Sequence, residues 1–169
     1  MKKMILITGG QRSGKSRFAQ QTALSLTANP VYLATSRVWD DEHRQRIERH
    51  RSERGPEWIT IEEEKELSKY QWDDKTVLID CVTLWATNYF FDLQSDVDKA
   101  LAALKTEFDL FTSKNAHFIF VTNEIGMGEM SPTETQRKFA DLQGLLNQYM
   151  AEKADEVYLM VSGIPVRIK

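Results

Sequence analysis

Short, continuously apolar runs alternate along this chain with longer stretches whose apolar residues recur every three or four positions. Met4–Thr8, Val31–Ala34, Val77–Asp80, Phe118–Thr122 and Val157–Val161 show no polar alternation, the pattern of strands covered on both faces. Trp58–Ile61 is a weaker candidate of the same kind. Lys15–Leu26, Asp41–Glu53, Val97–Lys114 and Thr133–Lys153 have helical length and periodicity. Leu101, Leu104, Phe108 and Phe111 mark one face of the third helix, and Phe139, Leu142, Leu145, Leu146 and Tyr149 one face of the fourth. Pro132, between Ser131 and Thr133, suits a helix start. The tail "EVYLMVSGIPVRIK" reads as two strands joined near Gly163, and Pro165 would confine the last strand to a sheet edge. Strands alternating with helices predict a three-layer α/β fold around a mainly parallel sheet.

A chain of 169 residues without a repeat or a plausible linker is expected to form one domain, residues 1–169. Its formal net charge of −3 gives no general attraction to nucleic acid or anionic membrane, so any anion site must be local. The single cysteine, Cys81, cannot form an intrachain disulfide, which favours a reducing cytoplasm. Met1-Lys2-Lys3 imitates the start of a signal peptide. The apolar run behind it ends at Gly9-Gly10, too short for such a peptide or for a membrane span.

The most informative stretch is "ILITGGQRSGKSRFAQ". Gly9-Gly10-Gln11-Arg12-Ser13-Gly14-Lys15-Ser16 has the spacing G-x-x-x-x-G-K-S, placed between a predicted strand and a predicted helix. Glycines there let backbone N–H groups curl around phosphate oxygens, and the helix N-terminus adds partial positive charge. Lys15 supplies a cation, and the Ser16 hydroxyl is a ligand for Mg²⁺. These features together point to a nucleoside triphosphate. Asp80, closing the apolar run "TVLID", is the expected second Mg²⁺ partner, a role compatible with capping a following helix.

The segment "DDEHRQRIERHRSERG" carries a second chemistry. On a helix His43, Ile47 and His50 share one face, among Arg44, Arg46, Arg49, Arg51 and Arg54. Interleaved Arg and Glu most often form a solvated, salt-bridged surface. A histidine among arginines is also held toward its neutral, nucleophilic form, and the arginines can neutralise a pyrophosphate leaving group. Such a histidine can attack phosphorus and carry a nucleotidyl group. The residues alone leave open which of the two faces the nucleotide.

"ITGGQRSGKSRFAQ", "VYLATSRVWDDEHRQRIERHRSERG", "VLIDCVTLWATN", "VTNEIGMG" and "ADEVYLMVSGIPVRIK" follow one another in that order. Together they resemble the bifunctional adenosylcobinamide kinase/adenosylcobinamide-phosphate guanylyltransferases of cobalamin assembly, from Ile5 to Lys169. The resemblance implies a P-loop NTPase domain of RecA-like type, with the C-terminal strands as an edge hairpin. It also implies phosphorylation of the aminopropanol hydroxyl of adenosylcobinamide by ATP or GTP. Transfer of GMP from GTP through a guanylylated histidine would follow, giving adenosyl-GDP-cobinamide. The family's histidine matches His50, with Lys15 also catalytic. Its nucleotide contacts map onto Gly9–Ser16, Ala34, Thr35, Ser36, Arg51, Ser52, Glu53, Arg54, Glu62 and Asp80, with Mg²⁺ on Ser16 and Asp80. Glu62 has the acceptor oxygens to meet the guanine N1–H and N2 amine, though it opens an acidic run, Glu62-Glu63-Glu64. The loop "VTNEIGMGEMSP" follows a predicted strand, where open α/β sheets bind ligands, so a role near the corrinoid or the γ-phosphate is expected. Trp85, Met127 and Met130 suit either an apolar corrin face or core and interface positions. The family forms homotrimers. Two other readings of the residues are a monofunctional P-loop small-molecule kinase with the arginine helix as a lid, and a nucleotide-sensing module.

Overall fold

The computed structural model describes residues 2–37, 44, 45, 48 and 54–169. Its strands are β1 (Lys3–Gly9), β2 (Val31–Ala34), β3 (Ile59–Glu62), β4 (Thr76–Asp80), β5 (His117–Val121), β6 (Glu156–Val161) and β7 (Ile164–Arg167). Its longer helices are α1 (Lys15–Leu26), α2 (Val82–Asp92), α3 (Val97–Thr112) and α4 (Glu134–Lys153). A short 3₁₀ turn covers Leu67–Lys69. Of the helix expected over Asp41–Glu53, only Arg44, Gln45 and Glu48 lie among the described residues; all three are helical and exposed.

The strands form one sheet in the order β3-β2-β4-β5-β1-β6-β7, parallel except for the antiparallel β6–β7 hairpin. The expected three-layer P-loop architecture of RecA-like type is therefore observed, with the hairpin at the edge. Pro165 sits in β7, on the rim where its missing N–H costs no ladder bond.

Strand β1 explains why the apolar runs lack alternation. Met4 and Leu6 join a core with α2, α3 and α4, while Ile5 and Ile7 pack on the opposite face against Ala19 and Ala23 of α1. The larger core is strongly aromatic: Phe111 meets Phe118 at a ring separation of 4.7 Å and Trp72 at 5.7 Å. Such edge and tilted contacts add to the burial of large rings.

Helix α2 lies where the sequence analysis assigns no bounded element. Val82, Trp85, Ala86, Asn88, Tyr89 and Phe90 are all buried, so no polar face betrays its period. Two expectations about α4 are corrected. Leu145 is 42% exposed, and Gln143 and Asn147 occupy the buried stripe in its place. Pro132 precedes the helix instead of opening it: Thr133 is the N-cap and its hydroxyl accepts from the Gln136 N–H at 3.3 Å. Helix α3 stops at Thr112, two residues before the expected Lys114.

Candidate active site

The glycine-rich motif forms the connection from β1 to α1. Gly9 closes the strand with φ +152°, and a Cβ there would meet the Met160 carbonyl oxygen and Ser13 Oγ at 2.8 Å. Gly14 caps α1 in the left-handed region, φ +93°, and a Cβ on it would lie 3.1 Å from Gly163 Cα. Both positions demand glycine. Arg12 also takes positive φ, 57°, which curls the backbone into a cradle. Because Gly14 has no side chain to cap the helix and α1 has no acid in its first turn, the first N–H groups remain for an external anion.

Lys15 is 8% exposed and folds back over the loop, its Nζ donating to the Gly10 carbonyl at 2.5 Å and to Ser13 Oγ at 3.5 Å. Burial pulls its pKa down, and the nearby Cys81 and Asp80 oppose that shift. The coupling reports that Asp80 shares the electrostatic field of the loop lysine. Asp80 ends β4, opposite Ala34 on β2 and Val121 on β5. One strand, β5, separates the acid-bearing strand from the loop-bearing strand.

The other expected contacts fall along the same carboxyl-terminal rim. Ala34 closes β2, with Thr35 and Ser36 just beyond. Thr35 is fully buried; its hydroxyl donates to the Cys81 carbonyl at 2.7 Å, and its own carbonyl accepts from Asn88 Nδ2 at 2.8 Å. Its side chain and its carbonyl are thus both committed to the fold. Glu62 ends β3 opposite Ala34. Its two neighbours are engaged: Glu63 pairs with Lys69 and Glu64 with Arg37. Among the described residues the side chain of Glu62 alone of the three makes no ion pair or hydrogen bond.

Arg54 stacks over the Tyr32 ring with its guanidinium carbon 3.6 Å from the centroid. Its Nε and Nη1 are buried without a partner, an arrangement that leaves two donors waiting for an acceptor. Burial, and then Asp80, push the Tyr32 hydroxyl pKa well up. The candidate nucleophile His50, with Arg51, Ser52 and Glu53, lies outside the described residues.

Neither Tyr32 nor Asn88 stands out in the sequence; an Asn set among Trp85, Ala86, Tyr89 and Phe90 is the signal that marks the second. Nor does Glu124 stand out within the "VTNEIGMG" loop. The Glu124 N–H donates to the Gly9 carbonyl at 3.1 Å, and Oε1 accepts from Thr8 Oγ1 at 2.8 Å. The loop is therefore bonded to the first residue of the phosphate cradle. Trp85 is fully buried and serves the core, whereas Met127 and Met130 are exposed.

A glycine-lined phosphate cradle, a folded-back lysine and a carboxylate one strand removed on a parallel sheet define a P-loop nucleotide-binding protein. Residues 5–168 match the family model described as "Cobinamide kinase / cobinamide phosphate guanyltransferase", and the chain belongs to that family. It is 39% identical over 181 residues to the "Bifunctional adenosylcobalamin biosynthesis protein CobU" of Escherichia coli K12, covering 98% of this chain and 99% of that protein. The protein of the same name from Salmonella typhimurium LT2 is 37% identical, with the same coverage. Among solved structures, the flagellar accessory protein FlaH of Methanocaldococcus jannaschii overlays with a TM-score of 0.49 at 14% identity, covering 99% of this chain and 78% of that one.

Proposed function

We propose that this protein phosphorylates the aminopropanol hydroxyl of adenosylcobinamide and then transfers GMP from GTP to the new phosphate, yielding adenosyl-GDP-cobinamide. The observation that carries this reading is family membership along almost the whole chain, supported by a glycine-rich turn over which Lys15 folds back and by an acid, Asp80, at the end of β4.

In the first step the acceptor oxygen bonds to the γ-phosphorus of ATP or GTP while the bond to the β–γ bridging oxygen breaks. Lys15 and the loop N–H groups meet the charge that develops on the departing diphosphate. Ser16 and Asp80 offer one hydroxyl and one carboxylate, hard oxygen donors of the kind Mg²⁺ takes alongside phosphate oxygens and water. Among the described residues no three His, Cys, Asp or Glu side chains converge as a protein-only metal cage, in keeping with an ion held largely by its nucleotide. That ion would neutralise phosphate charge.

In the second step His50 attacks the α-phosphorus of GTP, pyrophosphate leaves, and Arg51 and Arg54 compensate its charge. The cobinamide phosphate then displaces histidine from the GMP. The Glu62 side chain, without a partner among the described residues, is available to the guanine edge, with Ala34 paired beside it.

The enzyme works in the cytoplasm, the reducing compartment that its lone Cys81 suits. It acts as a homotrimer, and the outermost strand β7 presents Ile164 and Val166, with Ile168 just beyond, as exposed apolar surface for contact between copies. Incubation with GTP labelled at the α-phosphate tests the reading. The expected product is a protein-bound label stable to base and labile to acid, discharged by cobinamide phosphate. GMP transfer with no such adduct overturns the covalent route, and failure to turn over adenosylcobinamide overturns the function.

A further inference from the structure

A groove of about 380 Å³ opens beside β1, on the face opposite α1, and Thr8, Glu124, Ile125, Gln143, Gly144 and Asn147 help to line it. Glu124 stands where this groove meets the phosphate cradle, because its N–H is bonded to the Gly9 carbonyl. Its Oε1 is held by Thr8 Oγ1 at 2.8 Å and, more loosely, by Asn147 Nδ2 at 3.4 Å. Asn147 is itself fixed: its Oδ1 accepts from Thr122 Oγ1 at 2.7 Å and from Gln143 Nε2 at 2.9 Å, both buried.

Two groups in this network have nothing to do within the protein. Glu124 Oε2 takes no hydrogen bond and Glu124 has no cationic partner among the described residues. Gln143 is fully buried, yet its Oε1 has no partner. A carboxylate present only for stability would pair with a cation or satisfy both oxygens. A carboxylate oriented through one oxygen and open at the other has the arrangement of a proton acceptor.

We propose that this groove receives the hydroxyl-bearing arm of the acceptor and that Glu124 Oε2 takes the hydroxyl proton during phosphorylation. The assignment rests on the kinase activity proposed above. The acceptor oxygen forms its bond to the γ-phosphorus, and the bond from phosphorus to the β–γ bridging oxygen breaks. That oxygen leaves with the bonding pair as part of the nucleoside diphosphate. The hydroxyl proton passes to Glu124 and from there to water. Gln143 Oε1 accepts a hydrogen bond from an amide or hydroxyl donor on the same arm. Thr8 and Asn147 are positioning residues.

Two variants test this against wild type, with ATP and adenosylcobinamide as substrates. Glu124→Gln keeps an oxygen for the Thr8 hydroxyl but cannot take a proton, so kinase kcat is expected to fall by about 100-fold or more. Its affinity for ATP and its labelling by α-labelled GTP are expected to stay within about 3-fold of wild type, since neither depends on this proton. Gly144→Leu places a side chain into open space, for a Cβ there meets nothing within 4 Å. It is expected to raise KM for adenosylcobinamide about 10-fold with kcat little changed, the signature of lost ground-state binding. Turnover by Glu124→Gln near the wild-type rate removes the base, and a parallel collapse of its ATP affinity makes Glu124 structural; either overturns the proposal. An unchanged KM in Gly144→Leu removes the groove. A wild-type protein that binds ATP and never phosphorylates the corrinoid refutes the functional reading first, and this assignment with it.

Discussion

The guanidinium carbon of Arg54 lies over the ring of Tyr32, 3.6 Å from its centroid, two residues before the point where β2 pairs with Asp80. Tyr32 itself is only 6% exposed, so the ring is a fixed platform. Stacking holds the flat cation in place while leaving its buried Nε and Nη1 free to donate. Among the described residues no carboxylate forms an ion pair with this cation.

Removing the platform should weaken nucleotide binding without touching the nucleotide. Tyr32→Leu forfeits a desolvated cation–π contact of about 2 kcal/mol, so GTP affinity should drop by about 10-fold or more. Tyr32→Phe retains the ring and should bind GTP within about 3-fold of wild type. Calorimetric titration of both variants decides the matter; equal losses would assign the effect to the hydroxyl instead.

Lys15 should prove a functional residue held at some expense to stability. Its pKa is lowered mainly by burial, which means the folded state disfavours the charged form. By linkage that penalty applies throughout the range where lysine is protonated, neutral pH included, and fades as pH rises toward 10.5, its ordinary value. Lys15→Met removes the buried charge and keeps the packing volume. The ligand-free variant should melt at or above the wild-type temperature while nucleotide affinity falls by about 100-fold. Thermal melts with and without ATP measure both effects.

How much of this was legible beforehand depended on whether a residue's signal was local. The bounds of β2 and α1 coincide with the apolar run Val31–Ala34 and the periodic stretch Lys15–Leu26. The phosphate cradle was legible too, since its glycines are demanded by their own backbone angles. Helix α2 was obscured because Leu84 and the exposed Phe91 place apolar residues outside its buried face too, which blurs the amphipathic period. Leu145 misled because Gln143 and Asn147 trade hydrogen bonds with Thr122 and take the buried stripe, an exchange no single-residue hydropathy reveals. Tyr32 and Glu124 acquire meaning only through Arg54 and Thr8, partners 22 and 116 positions away in the numbering.

The two proposed reactions should separate at His50. Phosphoryl transfer to a hydroxyl needs the cradle and its acid but no protein nucleophile. His50→Asn is therefore expected to abolish the acid-labile GMP adduct and GMP transfer while retaining at least about a tenth of wild-type phosphorylation. His43→Asn should retain both. Peptide mapping of the label checks the assignment; label on His43, or persisting in His50→Asn, rejects it.

Glu62 should discriminate between bases. Glu62→Gln loses one of the two acceptor oxygens facing a guanine edge, so GTP affinity should fall by about 10-fold, with ATP affinity within about 2-fold of wild type. Competition titrations with the two nucleotides measure the difference, and equal losses would remove base reading from this residue.

Asp92 ties the segment after β2 to α2 through a two-pronged bond from Arg37, at 3.0 and 3.2 Å, and a contact from Lys65 at 2.9 Å. Hydrogen bonds from Arg37 and then Lys65 hold its carboxyl far below the usual range. A depressed acid contributes stability above its unfolded pKa, about 3.9, and loses it as pH falls through the folded value. Asp92→Asn should thus cost about 0.5–1 kcal/mol at pH 7, reduced by salt, and the gap from wild type should close below about pH 4. Urea titrations across pH measure it.

The turn between β6 and β7 presses against the phosphate cradle: Gly163 donates its N–H to the Ser13 carbonyl at 2.9 Å. The cradle is encoded at Gly9–Ser16, but the backing that shapes it comes much later in the chain, at Gly163. During synthesis the ribosome releases the glycine-rich segment long before β6 can pair with β1. A nascent chain thus has no finished cradle with which to hold a triphosphate until Gly163 emerges. A chain truncated before Gly163 would carry the whole motif without its backing.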